Sequence, residues 1–258
     1  MRLSMKTLPM KALFCGAALA GVLAGAFAVA TIAAAPGYIT AAVADPGRPD
    51  ADKARDPFRK PVEMMDFARI HPGETVVELI PGKFYFTRIL SKIVGPAGHV
   101  YAAAPGGGGS GDAKAAAVSL SSDPNYKNVS DVTLPGGLNS VGPVDVIWTA
   151  QNYHDFHLAR LKLDVPAFDK LMFSILKPGG EFIIIDHAAV AGTGLDVPDK
   201  LHRINEDIVK REVESAGFVL EGETDVLRNP ADPRTALVFD PSIRGHTDQF
   251  VLRFRKPK

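Results

Sequence analysis

The stretch VVELIPGKFYFTRIL, Val76 to Leu90, passes from an apolar run through a short turn into an amphipathic helix. "TVVELI" is bounded by "HPGE" (His71 to Glu74) before it and Pro81-Gly82 after it, which suits a short strand covered on both faces. Beyond the turn, Phe86, Ile89, Leu90, Ile93 and Val94 recur at i, i+3, i+4, i+7 and i+8, and Gly95-Pro96 stops the helix. A strand, a turn and a helix in that order begin a βαβ unit, so the fold depends on whether the alternation continues.

It continues. "HVYAAA" (His99 to Ala104), a brief run near Val129 to Leu134, "VDVIWTA" (Val144 to Ala150) and "EFIIID" (Glu181 to Asp186) all read as strands. Phe168, Leu171, Met172, Ile175 and Leu176 give a helical face closed by "KPGG". Another helix opens at Asn205, a good N-cap, with Glu206 and Asp207 in its positive first turn and Gly217 just past its end. An earlier helix starts at Pro61, with Val62, Met65 and Ala68 at helical spacing. "PGGGGSGD" reads as a flexible surface loop, because no P-loop Lys-Ser/Thr follows it, and a short alanine-rich helix is expected next. Strands at Phe218 to Asp225 and Gln249 to Arg255 enclose a polar insertion with "RNPADPR" and "DPSIRGHTD", and no helical pattern separates them. Right-handed crossovers then predict an α/β, doubly wound, seven-stranded and mostly parallel sheet with an antiparallel last strand. The ligand crevice of such a sheet lies at the carboxyl ends of its strands, where the winding reverses.

The ends of the chain bound the function. Arg2, Lys6 and Lys11 precede the apolar run Ala12 to Ala35, and no acidic residue occurs before Asp45. This is the arrangement of a secretory signal, with small-residue cut sites at Ala28-Val29-Ala30 and Ala42-Val43-Ala44; the length of the run also suits an uncleaved anchor. The expected organisation is therefore residues 1–44 as signal or anchor, 45–60 as a Pro-, Asp- and Arg-rich arm, and 61–258 as the domain, in an exported, periplasmic or secreted protein. Cys15 is the only cysteine and lies in the apolar run, so the exported part holds neither disulfides nor thiolate metal sites. Without the three leading basic residues, the 29 Lys and Arg fall to 26 against 29 acidic residues. That balance gives no electrostatic reason to expect nucleic acid, and a membrane enters only through the N-terminal segment.

Five features in order resemble the class I S-adenosylmethionine-dependent methyltransferases: "VVELIPG" after an N-terminal helix, a second strand some 20 residues on, "DVIWTAQNYHD", "LKPGGEFIIIDH", and a terminal strand pair without a crossover helix. More narrowly, "RKPVEMMDFARIHPGETVVELIPG", "NYHDFH", "KPGGEFIIIDHAA", "LHRIN", "AGFVL", "LRNPADPRT" and "IRGHTDQFVLRFRKP" look like a family of exported predicted methyltransferases. The resemblance implies S-adenosylmethionine as cofactor, with Glu78, Pro81, Gly82, Ala104 and Asn152 around it, and a small-molecule acceptor. Of the usual acidic residue and alternating glycines, the turn keeps Glu78 and Gly82, while Ile80 and Phe84 occupy the outer glycine positions. The second strand ends in Ala102, Ala103, Ala104 and Pro105, where many relatives place a carboxylate on the ribose. A hydrogen bond to a charged group is worth ~1.5–3 kcal/mol, so its loss weakens binding by about ten- to a hundredfold.

"NYHD" places Asn152, Tyr153, His154 and Asp155 beyond the fourth strand, and "DH" places Asp186 and His187 at the end of the fifth. Methyl transfer to oxygen or nitrogen benefits from a base that takes the acceptor proton. His154 or His187 can serve, with Asp155 or Asp186 orienting the ring; alternatively Asp155 caps the next segment and Asp186 satisfies backbone groups. His202 and Arg203 can close over the crevice. Asp155, Asp186 and Asn152 also offer the ligand types of a divalent metal, and the second reading of the chain is a non-methylating protein that binds another ligand or a metal at this His/Asp crevice. A nicotinamide-dependent dehydrogenase is disfavoured by the missing Gly-x-Gly-x-x-Gly. His71, His99 and His157 read as structural or exposed, and His246 as part of the insertion, which reads equally as a lid over the crevice held by Arg–Asp contacts or as a solvated loop.

Overall fold

The computed structural model describes residues 34–105 and 120–258. The apolar N-terminal run with the cut site Ala28-Val29-Ala30, the glycine loop after Pro105 and the alanine-rich helix lie outside the described residues. Seven strands, β1 (Thr75–Leu79), β2 (His99–Pro105), β3 (Val129–Leu134), β4 (Val144–Ala150), β5 (Leu176–His187), β6 (Val219–Thr224) and β7 (Gln249–Arg255), form one sheet in the order β3-β2-β1-β4-β5-β7-β6. Strands β1 to β5 pair in parallel, and β7 runs antiparallel between β5 and β6. The expected doubly wound sheet with an antiparallel last strand is the one observed.

Both faces of the sheet are covered at its centre, which is why β1 and β4 are apolar without alternation. Val76 and Trp148 face a core shared with α4 (Pro61–Phe67) and α5 (Tyr85–Val94); Val77 and Ile147 face the opposite core, with α6 (Val165–Ile175) and α8 (Glu206–Ser215). All five apolar positions predicted on α5 are buried. Truncating one of them, Ile89→Ala, costs about 2–5 kcal/mol. Asn205 caps α8 by accepting the Asp207 N–H at 3.0 Å.

The segment before Pro61 differs from its expected role. Residues Ala35–Lys258 form one compact unit, and α1 (Gly37–Val43) buries Ile39 and Ala42 in the α4–α5 core. A cut after Ala44 would remove that contribution. Residues 45–60, expected as an arm, carry α2 (Asp50–Lys53) and α3 (Asp56–Arg59) and are tied to α5 by their acidic residues. Asp45 pairs with Lys92 at 3.1 Å, Asp52 with Arg88 at 2.8 Å, and Asp56 accepts from the Tyr85 hydroxyl while holding buried Arg48. Among the described residues no helix is long and apolar enough to cross a membrane.

The winding reverses between β1 and β4. There Leu79 is level with Thr149, and Ala150 is level with Ile185, so Ile80, Gln151 and Asp186 emerge at one edge.

Candidate functional site

The β1–α5 turn carries three left-handed residues: Ile80 at φ 51°, Gly82 at φ 57° and Phe84 at φ 63°. Left-handed backbone costs a residue with a side chain about 1–2 kcal/mol. The surroundings hold both outer residues in place. The Ile80 N–H donates to Ala103 at 2.7 Å and its carbonyl accepts from Asn152 Nδ2 at 3.1 Å, while Phe84 is buried at the start of α5. A Cβ on Gly82 would meet nothing within 4 Å, so this part of the turn faces open space. Behind it, Glu78 is buried and accepts from the Thr87 hydroxyl. Burial pushes its carboxyl up to about 8, against the Thr87 hydrogen bond and the charges of Arg59 and Arg88.

The arm closes one side. Arg59 donates to Gln151 Oε1 at 2.6 Å and lies over the rings of Tyr85 and Phe86 at 4.8 and 5.3 Å. Among the described residues no carboxylate forms an ion pair with it. Burial, then repulsion from Arg55, brings its guanidinium down to about 10. Gln151, itself left-handed at φ 65°, passes the chain of bonds to Gln249 on β7 at 3.0 Å.

The β4–β5 corner is held by Asp186, which has no exposed surface. Its carboxylate accepts the His154 N–H at 2.6 Å, the His154 Nδ1 proton at 2.8 Å and the His187 N–H at 2.7 Å. A 3-10 turn at His154–His157 swings the ring into this position. Burial opposes ionisation of both partners. Their mutual attraction outweighs it, raising His154 above and lowering Asp186 below the ordinary values. His154 Nε2 then faces Asp155 Oδ1 at 3.4 Å and His202 Nδ1 at 3.3 Å, and His202 Nδ1 lies 3.5 Å from Asp155 Oδ1. Burial lifts Asp155 above the usual carboxylate range, against the pull of His154. His187 bonds Thr247 Oγ1 at 2.7 Å, and burial drives it down to about 3, so it stays neutral and is a weak base.

These elements enclose a cavity of about 800 Å³. Glu78, Pro81, Gly82, Asn152, His154, Asp155 and His187 line it; Ala104 and Asp186 do not. Ala104 sits one strand away, opposite Thr133 of β3, and Asp186 acts from behind His154. The ligand set Asp155, Asp186 and Asn152 is not assembled. Asp186 is spent on His154 and His187, and Asn152 donates its amide to the Ile80 and Ala150 carbonyls. Arg59, Gln151, Tyr85 and Phe86 line the cavity too, and spacing in the sequence does not mark them.

The insertion roofs the cavity with Val238, Phe239, Arg244 and Gly245. Of the two readings of the insertion, the one held by Arg–Asp contacts is the one observed. Buried Arg203 bonds Asp232 at 2.8 Å, Asp232 accepts the Asp248 N–H at 2.7 Å, and Asp248 pairs with Arg234 at 2.9 Å. His246 meets Phe58 of the arm edge-on, with ring centres 4.4 Å apart. His71, His99 and His157 bond Tyr38, Ser130 and Glu212 respectively, outside the cavity lining.

No protein-family model and no curated protein matches the chain in sequence. Solved structures match it in shape. A SAM dependent methyltransferase from Aquifex aeolicus aligns over 80% of this chain and 97% of its own, at 20% identity and a TM-score of 0.56. The fold is that of the class I S-adenosylmethionine-dependent methyltransferases. CrArsM, an arsenic(III) S-adenosylmethionine methyltransferase from Chlamydomonas reinhardtii, aligns over 86% of this chain and 74% of its own, at 16% identity and a TM-score of 0.55. The [4+2]-cyclase SpnF gives the same TM-score of 0.55 at 16% identity, over 80% of this chain and 81% of its own. Within this methyltransferase fold, the cavity described above occupies the switch point between β1 and β4 where ligands bind such sheets.

Proposed function

We propose that the protein is an exported, periplasmic or secreted methyltransferase that takes S-adenosylmethionine as cofactor and methylates a small molecule. The observation that carries this is Arg59: a cation in the cavity wall beside the β1 turn, whose side-chain hydrogen bond among the described residues goes to the neutral Gln151. A carboxylate ligand satisfies such a guanidinium, and the amino-acid end of S-adenosylmethionine carries one. The open space at Gly82 and the left-handed backbone of Ile80 and Phe84 support the same placement. Glu78, Pro81 and Gly82 border that end, and Asn152 braces the β1 and β4 strand ends against each other.

When bound, the cofactor supplies an electrophilic methyl group on a sulfonium. An acceptor O–H, N–H or S–H loses its proton as the methyl arrives, and the groups at hand are those of the corner made by His154, Asp155 and His202. Asp186 fixes the His154 ring there, and neutral His187 lines the wall beside it.

The second reading, a methyltransferase-fold protein that does not methylate and binds another ligand at the His/Asp crevice, is favoured by the end of β2. Ala103, Ala104 and Pro105 offer no carboxylate and do not line the cavity. Calorimetry of the full-length chain with S-adenosylmethionine and S-adenosylhomocysteine separates the two. Saturable heat is expected, weakened about ten- to a hundredfold by Arg59→Gln. No heat at millimolar ligand from folded protein overturns the methyltransferase reading.

A further inference from the structure

We infer that His154 Nε2, Asp155 Oδ1 and His202 Nδ1 are three ligands of a zinc site whose fourth position opens into the cavity. The three atoms form a nearly equilateral triangle with edges of 3.3, 3.4 and 3.5 Å. Nitrogen and oxygen bind zinc tetrahedrally at ~2.0–2.2 Å, which spaces neighbouring ligand atoms about 3.3–3.5 Å apart. An octahedral ion at the same bond lengths draws them to about 3.0 Å. The triangle thus has the dimensions of one face of a zinc tetrahedron.

The support behind the triangle points the same way. Asp186 takes the Nδ1 proton of His154 at 2.8 Å, which leaves Nε2 with its lone pair toward Asp155 and His202. A carboxylate behind a histidine is the arrangement that orients metal-bound imidazoles. Nε2 and the Asp155 oxygen are then two acceptors facing each other at 3.4 Å, and a cation between them relieves the conflict. The competing arrangement is one proton shared from His202 Nδ1 to both, which holds no metal.

Sequence spacing does not reveal this set, because His202 comes 48 residues after His154 and ends the short helix α7 (Val197–Leu201) in a left-handed conformation at φ 52°. All three residues line the cavity, so a water or an oxygen or sulfur atom of a substrate can complete the coordination; with zinc bound, the metal lowers that group's pKa and the three ligand atoms no longer serve as its proton acceptors. That last use rests on the methyltransferase reading; the metal site does not.

The test is a zinc titration of the full-length chain, stripped with a chelator, against a chromophoric competitor, followed by cobalt substitution. One equivalent of zinc and the intense visible bands of tetrahedral cobalt are expected. His202→Ala and Asp155→Asn should each weaken binding at least a hundredfold. Asp186→Asn should weaken it about ten- to a hundredfold, with circular dichroism showing the fold retained. His99→Ala, remote from the triangle, should bind as the parent does. Absence of stoichiometric binding to folded protein overturns the site, as do unchanged affinity in His202→Ala and Asp155→Asn, equal loss in His99→Ala, or octahedral cobalt spectra. No cofactor enters this assay, so failure here leaves the methyltransferase reading standing, and failure of the cofactor calorimetry leaves the zinc site standing.

Discussion

The β1 turn and the β4–β5 corner face one another across the same cavity, and each is organised around a buried carboxyl group. At the turn, Glu78 has a hydroxyl partner and lifts its proton affinity to about 8, so it is mostly neutral at pH 7. At the corner, Asp186 has a histidine ring and two backbone N–H donors and stays ionised. The number and charge of the donors decide this difference, since burial raises both groups alike. The turn is a left-handed backbone held by bonds to the Ile80 N–H and carbonyl, and the corner is gathered around one side-chain carboxylate.

Substitutions at the two carboxyls should therefore move stability in opposite directions. Asp186→Ala leaves the His154 Nδ1 proton and two backbone N–H groups buried without their acceptor, and should cost about 3–5 kcal/mol in urea unfolding. A loss under 1 kcal/mol would show the corner is not held as described.

Glu78→Gln should stabilise at neutral and alkaline pH. The folded pKa of about 8 lies above the ordinary 4.5, so the folded state binds more protons between those values. Its stability is then full below pH 4.5 and is lost as pH rises through 8. The glutamine variant escapes that loss and should gain on the order of 3 kcal/mol at pH 7, with little difference at pH 4. Parallel stability–pH curves for the two proteins would sink the assignment.

The smallest effect is expected from Ile80→Gly. It removes the left-handed penalty and adds backbone entropy to the unfolded chain, two terms of about 1 kcal/mol that oppose each other. Melting should shift by no more than a few degrees; a large loss would mean that the Ile80 side chain, not the backbone, holds the turn.

The same contrast explains how much was legible in the sequence. The strands and α5 could be read because Val76, Val77, Phe86 and Ile89 report burial at the periods of their elements. The winding and the antiparallel β7 followed from them. The turn itself was legible, but Ile80 and Phe84 concealed its left-handed path, since neither side chain advertises a positive φ and the backbone there is set by tertiary bonds. Arg59 was hidden for a different reason: its partner Gln151 lies 92 residues away, and the Pro, Asp and Arg of its segment have the composition of a linker. His154 and Asp186 were visible as strand-end residues, but their pairing, and the place of His202 beside them, depend on a 3-10 turn and a short helix with little periodicity.

The meeting of Phe58 and His246 joins two separately anchored parts of the roof. A ring pair of this kind contributes only about 0.5–1.5 kcal/mol beyond its buried area, and Phe58 stays 48% exposed. The arm is anchored to α5 and the insertion to Arg203, so each can keep its own bonds while the contact between them opens. Parting the two rings forfeits that contribution and their shared buried area while the ion pairs on either side stay intact, so this contact is the weakest join in the roof.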